Sequence, residues 1–203
     1  IEPELISVSR GDIIGYTGDT GGLSGPHLHF EIRDQINRPI NPLMTNLGKT
    51  LIDNIKPTPL SIAFIPKSDE SKIDGYSFTK EYSLKKISHN KFQLNDTINI
   101  KGEFGIAVSV FDQVDLQPFK YGIYSIELFV DSTHHYGITY DKTSFKQPNQ
   151  IYLERKYNIS SEDNREYYQL FKNKFQNNTF ISKDSKGFIQ KDSGIHNFKI
   201  VIN

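Results

Sequence analysis

The chain has 203 residues, which is enough for one ordinary domain or for a small domain and part of a second one. Its 24 basic and 24 acidic side chains cancel, and this balance favours neither nucleic acid nor an acidic membrane surface as a partner. No apolar run approaches the roughly 20 residues that a transmembrane segment needs. Cysteine is absent, so any metal must be held by imidazole and carboxylate groups.

The first part of the chain is rich in glycine and in short runs that are typical of strands. Residues 11–18 predict a strand, a glycine-rich turn follows, and His27-Leu28-His29-Phe30-Glu31 predicts a second strand. Residues two apart in a strand point to the same face, so His27, His29 and Glu31 are expected on one face while Leu28 enters the core. Two imidazoles on one strand can bind one metal ion, or one can bind it while the other contacts the metal-bound water.

The rest of the chain predicts a separate β domain. Pro57 and Pro59 hold the chain extended at the end of a linker that we place at residues 47–58. Residues 59–203 then contain several short segments in which apolar and polar residues alternate, with turn residues between them. The clearest alternating segments are Ile106 to Val110, Tyr124 to Val130 and Phe198 to Ile202. This pattern predicts an immunoglobulin-like, antiparallel β-sandwich.

One segment of this β domain does not fit the strand pattern. Residues 158–174 predict a short helix, with a serine as its N-terminal cap. Tyr167, Leu170 and Phe171 would form the apolar face of this helix, because they are spaced three and four residues apart. The whole chain is therefore predicted to be mainly β, with one short helix at most.

The motifs of residues 8–44 resemble the C-terminal part of the lysostaphin-type (LytM) zinc metallopeptidases. The matching features are Gly25-Pro26, the H-x-H motif of His27 and His29, and the exit Asn41-Pro42. In that family, a histidine and an aspartate of an upstream H-x-x-x-D motif bind zinc together with the second histidine of H-x-H. The resemblance implies that His29 is a zinc ligand. It also implies that His27 contacts the zinc-bound water or polarises the scissile carbonyl.

The resemblance further implies what the parent protein does and where it acts. The family cleaves short peptide bonds, commonly in peptidoglycan, so we expect a peptidoglycan peptide as the substrate. The expected location is the cell envelope, periplasmic or extracellular, with a signal peptide upstream of this sequence. Residues 121–131 resemble a strand of the β-sandwich that follows the peptidase domain in Bacteroidota-type members.

The upstream half of the family's zinc site is missing from this sequence. No H-x-x-x-D precedes Gly11, so two of the three expected zinc ligands are absent. We therefore expect residues 1–46 to be a remnant of a lysostaphin-type antiparallel β peptidase domain, inactive by itself. Three hypotheses follow for the parent: an active zinc metalloendopeptidase, a non-catalytic relative that binds cell wall or activates an amidase, or a protein whose β-sandwich is an interaction module. The intact H-x-H motif favours the first.

Three other polar residues, Glu31, His134 and His135, could contribute to a metal site or have an ordinary structural role. Glu31 can orient an imidazole as a hydrogen-bond acceptor, or it can pair with Arg33. The adjacent His134 and His135 cannot easily share a metal, because neighbouring residues of a strand face opposite sides. We expect them to be a water-exposed pair in a loop.

Overall fold

The computed structural model describes residues 6–18, 25, 26, 28–144, 146, 150–156, 159 and 166–203. This part of the chain is mainly β, as predicted. Its strands are β1 (Ile32–Arg33), β2 (Pro39–Ile40), β3 (Thr58–Pro66), β4 (Lys72–Ile73), β5 (Lys80–Ser83), β6 (Lys85–Ser88), β7 (Lys91–Gln93), β8 (Ile100–Lys101), β9 (Phe104–Phe111), β10 (Ser125–Val130), β11 (Thr133–Thr139), β12 (Tyr167–Gln169) and β13 (Phe198–Ile202). The helical elements are the single turn α1 (Ile151–Glu154) and two 3-10 helices, Pro42–Met44 and Gly48–Thr50.

Two antiparallel sheets form a β-sandwich. One sheet has the strand order β12-β9-β3-β5, and the other has the order β11-β10-β13. Side chains of both sheets meet in one apolar core, which includes Ile106 and Val108 from the first sheet and Ile126 and Leu128 from the second. Each such buried side chain stabilises the fold by about 1.5–3 kcal/mol relative to an exposed one. Within the described residues, no helix is long and apolar enough to cross a membrane.

The alternating segments of the sequence lie in strands, as predicted. In β10, Ile126, Leu128 and Val130 point into the core and are almost completely buried. In β9, both faces are buried, because Ala107 packs against Ala63 and Tyr167 on the far side of the sheet. This central strand therefore lacks an exposed face even though its sequence alternates.

The prediction of a helix over residues 158–174 is wrong. Tyr167–Gln169 is strand β12, which pairs with β9, and the Leu170 amide continues this pairing by donating to the Ile106 carbonyl at 2.9 Å. The apolar residues of this segment fit helical spacing, but both Tyr167 and Tyr168 are buried, on opposite faces of the sheet. Without β12, the backbone groups along this edge of β9 would be unpaired. Pairing with β9 therefore determines the structure of this segment, although its apolar spacing fits a helix. Residues 158 and 160–165 of this segment lie outside the described part.

The β1–β2 hairpin is anchored to the β-sandwich through its second strand. The Asn41 amide donates to the Asp141 carbonyl at 2.8 Å, and the Thr143 amide donates to the Pro39 carbonyl at 3.0 Å. Ile40 forms a bridge with Lys142 between these two bonds. Residues that follow β11 thus extend the pairing of β2 and fix the hairpin to the sandwich.

Large apolar side chains near the start of the chain are exposed. Ile13, Ile14, Tyr16 and Leu28 have exposed fractions of 77%, 84%, 92% and 79%. Residues 11–18 and 28–31 form no strand, and β1 begins only at Ile32, so the predictions of strands over residues 11–18 and over His27–Glu31, and of a buried Leu28, are wrong. A strand needs a neighbour for its backbone groups, and the described residues provide none for this segment. Such a concentration of exposed apolar side chains is typical of an interaction surface.

Candidate functional site

The candidate site lies at the start of the β1–β2 hairpin, whose far end is closed by a hydrogen-bonded loop. The Asp34 carboxylate accepts bonds from the backbone amides of Ile36 and Arg38, and it pairs with the Arg38 guanidinium at 2.6 Å. The bond from Arg38 holds the pKa of Asp34 below its ordinary value. Asn37 adopts a positive φ of 65°, which asparagine tolerates better than most residues. This loop fixes the direction of β1, which directly follows His29 and Glu31 in the chain.

Three side chains of the site form a row along one side of the extended chain. His29 Nε2 lies 2.7 Å from Glu31 Oε1, and the Arg33 guanidinium lies 2.6 Å from Glu31 Oε2. Arg33 also donates to the Asn37 side-chain carbonyl at 3.1 Å. Positions i, i+2 and i+4 share one face of extended backbone, which is why these residues meet. The two readings of Glu31, as partner of an imidazole and as partner of Arg33, are both present in the structure.

The Glu31 contact determines which nitrogen of His29 remains available. An ionised carboxylate can only accept, so the proton of the neutral ring lies on Nε2 and the lone pair lies on Nδ1. Hydrogen bonds from His29, and next from Arg33, hold the pKa of Glu31 below its ordinary value. The His29 side chain is 75% exposed, so its Nδ1 is accessible from outside. A carboxylate behind a metal-binding imidazole commonly fixes the ring in this way.

His27, the other member of the H-x-H motif, lies outside the described residues. Its predicted role therefore stays a prediction. Within the described residues, no three His, Asp or Glu side chains are grouped so that they could hold a metal ion. A single imidazole binds zinc too weakly to form a site. His29 and Glu31 thus fit one ligand position of a zinc site and do not form the whole site.

The prediction that His134 and His135 form an exposed loop pair is wrong. Both lie in β11, where the register shifts opposite Leu128 and Phe129 so that His135 has no partner residue in β10. Such a bulge turns the extra residue out of the normal alternation. His134 contacts Asp184 at 2.8 Å, while the buried His135 ring contacts the Gly187 carbonyl at 2.9 Å. Burial lowers the pKa of His135. The two rings therefore connect β11 to the segment that contains Asp184 and Gly187.

Sequence reasoning missed a buried charged cluster in the sandwich. Glu154 is fully buried and accepts a hydrogen bond from the Tyr140 hydroxyl at 2.6 Å. The Arg155 guanidinium lies 3.7 Å from the centre of the Tyr168 ring. Burial raises the pKa of Glu154. No motif or periodicity in the sequence marks this group, because its members come together only through the fold.

Two comparisons with known proteins find similarity, and the family match lies over the segment that contains the site. Residues 6–42 match the model of peptidase family M23. Over 40 residues, the chain is 48% identical to the peptidoglycan DD-endopeptidase ShyA of Vibrio cholerae serotype O1, and this similarity covers 20% of the chain. It spans 9% of that relative's length, which is far less than the whole enzyme. No solved structure matches the chain.

Proposed function

We propose that this chain is part of a longer zinc metalloendopeptidase of the bacterial cell envelope that hydrolyses peptide bonds of peptidoglycan. The family match over residues 6–42 carries the proposal, because this segment contains His27, His29 and Glu31. The similarity to a peptidoglycan endopeptidase supports the substrate class. The family match supports peptidase chemistry, and the zinc, the substrate and the cellular location are proposed in addition.

His29 is proposed as a zinc ligand that binds through Nδ1. The 2.7 Å contact of its Nε2 with Glu31 supports this role, because it directs the lone pair away from the carboxylate. The ion pair of Glu31 with Arg33 holds the carboxylate in place behind the ring. Zinc, when bound, lowers the pKa of its water to about 7 and so supplies a hydroxide nucleophile. At least one further ligand would have to lie outside the described residues.

His27 is proposed to act on the substrate rather than on the metal. It precedes His29 by two residues, so an extended backbone places both rings on one side of the chain. There, His27 would donate a hydrogen bond to the oxygen on which negative charge develops when the peptide carbonyl is attacked. Glu31 touches neither reacting group and is a positioning residue.

The domain layout belongs to the same proposal. Residues 1–46 would be the end of the peptidase domain, residues 47–58 the linker, and residues 59–203 the β-sandwich. The exposed apolar side chains of the first segment support the view that a further part of the peptidase domain covers them. The backbone bonds of Asn41 and Thr143 would then hold the peptidase end against the sandwich.

Digestion of purified peptidoglycan by the complete gene product tests the proposal. We expect new amino and carboxyl termini in the peptide stems, while the glycan strands stay intact. His29→Ala should abolish this release, because it removes a metal ligand. His89→Ala is the matched control, because His89 is exposed in the turn between β6 and β7. Cleavage of the glycan instead, or binding to the wall with no cleavage by the wild type, would contradict the proposal.

A further inference from the structure

Strand β13 forms an edge of the three-stranded sheet. Asn203 and Ser125 exchange both backbone hydrogen bonds, at 3.0 and 2.8 Å, and the Asp131 amide donates to the Asn197 carbonyl at 2.9 Å. The register between β13 and β10 shows no shift between these two points. Antiparallel pairs alternate between hydrogen-bonded and non-hydrogen-bonded positions. Lys199 and Val201 therefore pair with β10 in the same way as Asn197 and Asn203.

The remaining residues of β13 direct their backbone groups away from the sheet. These residues are Phe198, Ile200 and Ile202, and no described residue pairs with their backbone amides and carbonyls on that side. Exposed edges of this kind readily accept a further strand. Their side chains point inward, yet each of the three remains partly exposed although it packs against the core. The edge thus has unpaired backbone groups and partly exposed apolar side chains.

A groove runs beside this edge, between the two sheets, with a volume of about 710 Å³. We call it the edge groove. Its apolar lining includes Leu84, Leu94, Ile98, Ile100, Ile200 and Ile202, and polar residues, among them Asp96, Lys191 and Asp192, line the rest. These apolar residues are part-exposed members of the core, so the core is incomplete on this side. The groove lies where a fourth strand of the β11-β10-β13 sheet would complete the core, opposite the four-stranded sheet.

We propose that the edge groove binds an extended peptide that pairs with β13 as a fourth strand. The unpaired backbone groups of Phe198, Ile200 and Ile202 would bind the peptide backbone, which a lipid chain has no groups to match. Alternate side chains of the peptide would contact the apolar part of the groove. On the outer face, the exposed Lys199 favours an acidic side chain opposite it. The occupant is therefore a strand-forming segment with alternating apolar residues and an outward acidic residue.

Amide hydrogen exchange of this chain with a synthetic peptide tests the proposal. The probe has about nine residues, which alternate valine and threonine around a central outward glutamate. The control peptide has the same composition without alternation. At a probe concentration about ten times its dissociation constant, exchange at Ile200 and Ile202 should slow about tenfold. Lys199 and Val201 are already paired with β10, so their exchange should change less.

Two variants locate the interaction on the edge groove. Ile200→Lys places a charge inside the groove and should abolish protection by the probe, whereas the neighbouring Val201→Lys changes the outer face and should keep it. Thermal unfolding of both variants establishes that they fold. Equal protection by the two peptides, or uniform protection along β13, would overturn the proposal. So would protection by a fatty acid instead of the probe, or protection that rises with protein concentration alone, which would identify a second copy as the occupant.

Discussion

Replacing Asn41 by alanine removes the side chain that joins the site segment to the β-sandwich. Its carbonyl oxygen accepts a hydrogen bond from the Leu43 amide at 3.0 Å and so caps the 3-10 helix Pro42–Met44. Its amide group donates to the Tyr140 carbonyl at 3.0 Å. The substitution deletes both bonds and leaves the backbone pairing of β2 in place. It therefore weakens the anchor without removing a residue of the site.

The size of the effect follows from these two bonds. Loss of a capping side chain costs about 1 kcal/mol, and loss of a part-buried hydrogen bond to a backbone carbonyl costs about 1 kcal/mol more. If local opening releases the anchor, about 2 kcal/mol corresponds to roughly a thirtyfold increase in the open population. The amides of Asn41 and Thr143, which bond to the Asp141 and Pro39 carbonyls, should exchange faster by that factor.

Amide hydrogen exchange measures this change residue by residue. Asn46→Ala is the matched control, because Asn46 is exposed and accepts a bond only from the Lys49 side chain among the contacts described for it. In the control, both amides should exchange as in the wild type. Amides of β10 should not change in either variant, since the sandwich core is untouched. Unchanged exchange of Asn41 and Thr143 in Asn41→Ala would refute the view that this side chain anchors the segment.

Three further predictions concern single side chains. Glu31→Gln in the complete gene product should weaken zinc affinity roughly 10–100-fold in a chelator competition, because the carboxylate that orients His29 loses its charge; unchanged affinity would contradict this role. Burial lowers the pKa of His135 below 6.5, so the unfolded protein binds more protons at this residue than the folded protein does, and stability should fall as the pH drops through and below 6.5. In urea unfolding over this pH range, the wild type should lose more stability than His135→Gln. Parallel curves of stability against pH for the two proteins would refute this. Gly105→Ala should lower the free energy of unfolding by about 1–3 kcal/mol, because the added methyl group overlaps the Phe171 ring; an unchanged urea midpoint would count against this packing.

The sequence predicts the sandwich well where burial is local to a strand. The alternation of Ile126, Leu128 and Val130 is sufficient to identify the buried face of β10, because one face of that strand meets the core. The segment that contains Tyr167 and Leu170 misleads, because it is buried on both sides and its periodicity carries no strand signal. Pairing with β9 determines the structure of this segment. A local sequence pattern does not predict which distant segments pair with each other.

At the candidate site, too, local spacing is predicted correctly, whereas burial and pairing that depend on other segments are not. Spacing alone predicts that His29 and Glu31 share a face, and the 2.7 Å contact between them agrees with this. Spacing also predicts a buried Leu28, which the structure places in solvent because no described residue covers it. The bulge that buries His135 depends on the register of β10 and β11, which the sequence of one strand cannot specify.

The zinc content of the complete gene product tests the central claim most directly. Metal analysis after dialysis against a chelator should find one equivalent of zinc in the wild type and in the control His89→Ala. His29→Ala should lose the metal, because it removes a ligand, whereas His27→Ala should retain zinc and lose turnover. Equal loss of zinc from the His27 and His29 variants, or full retention in both, would contradict the roles assigned to the two histidines.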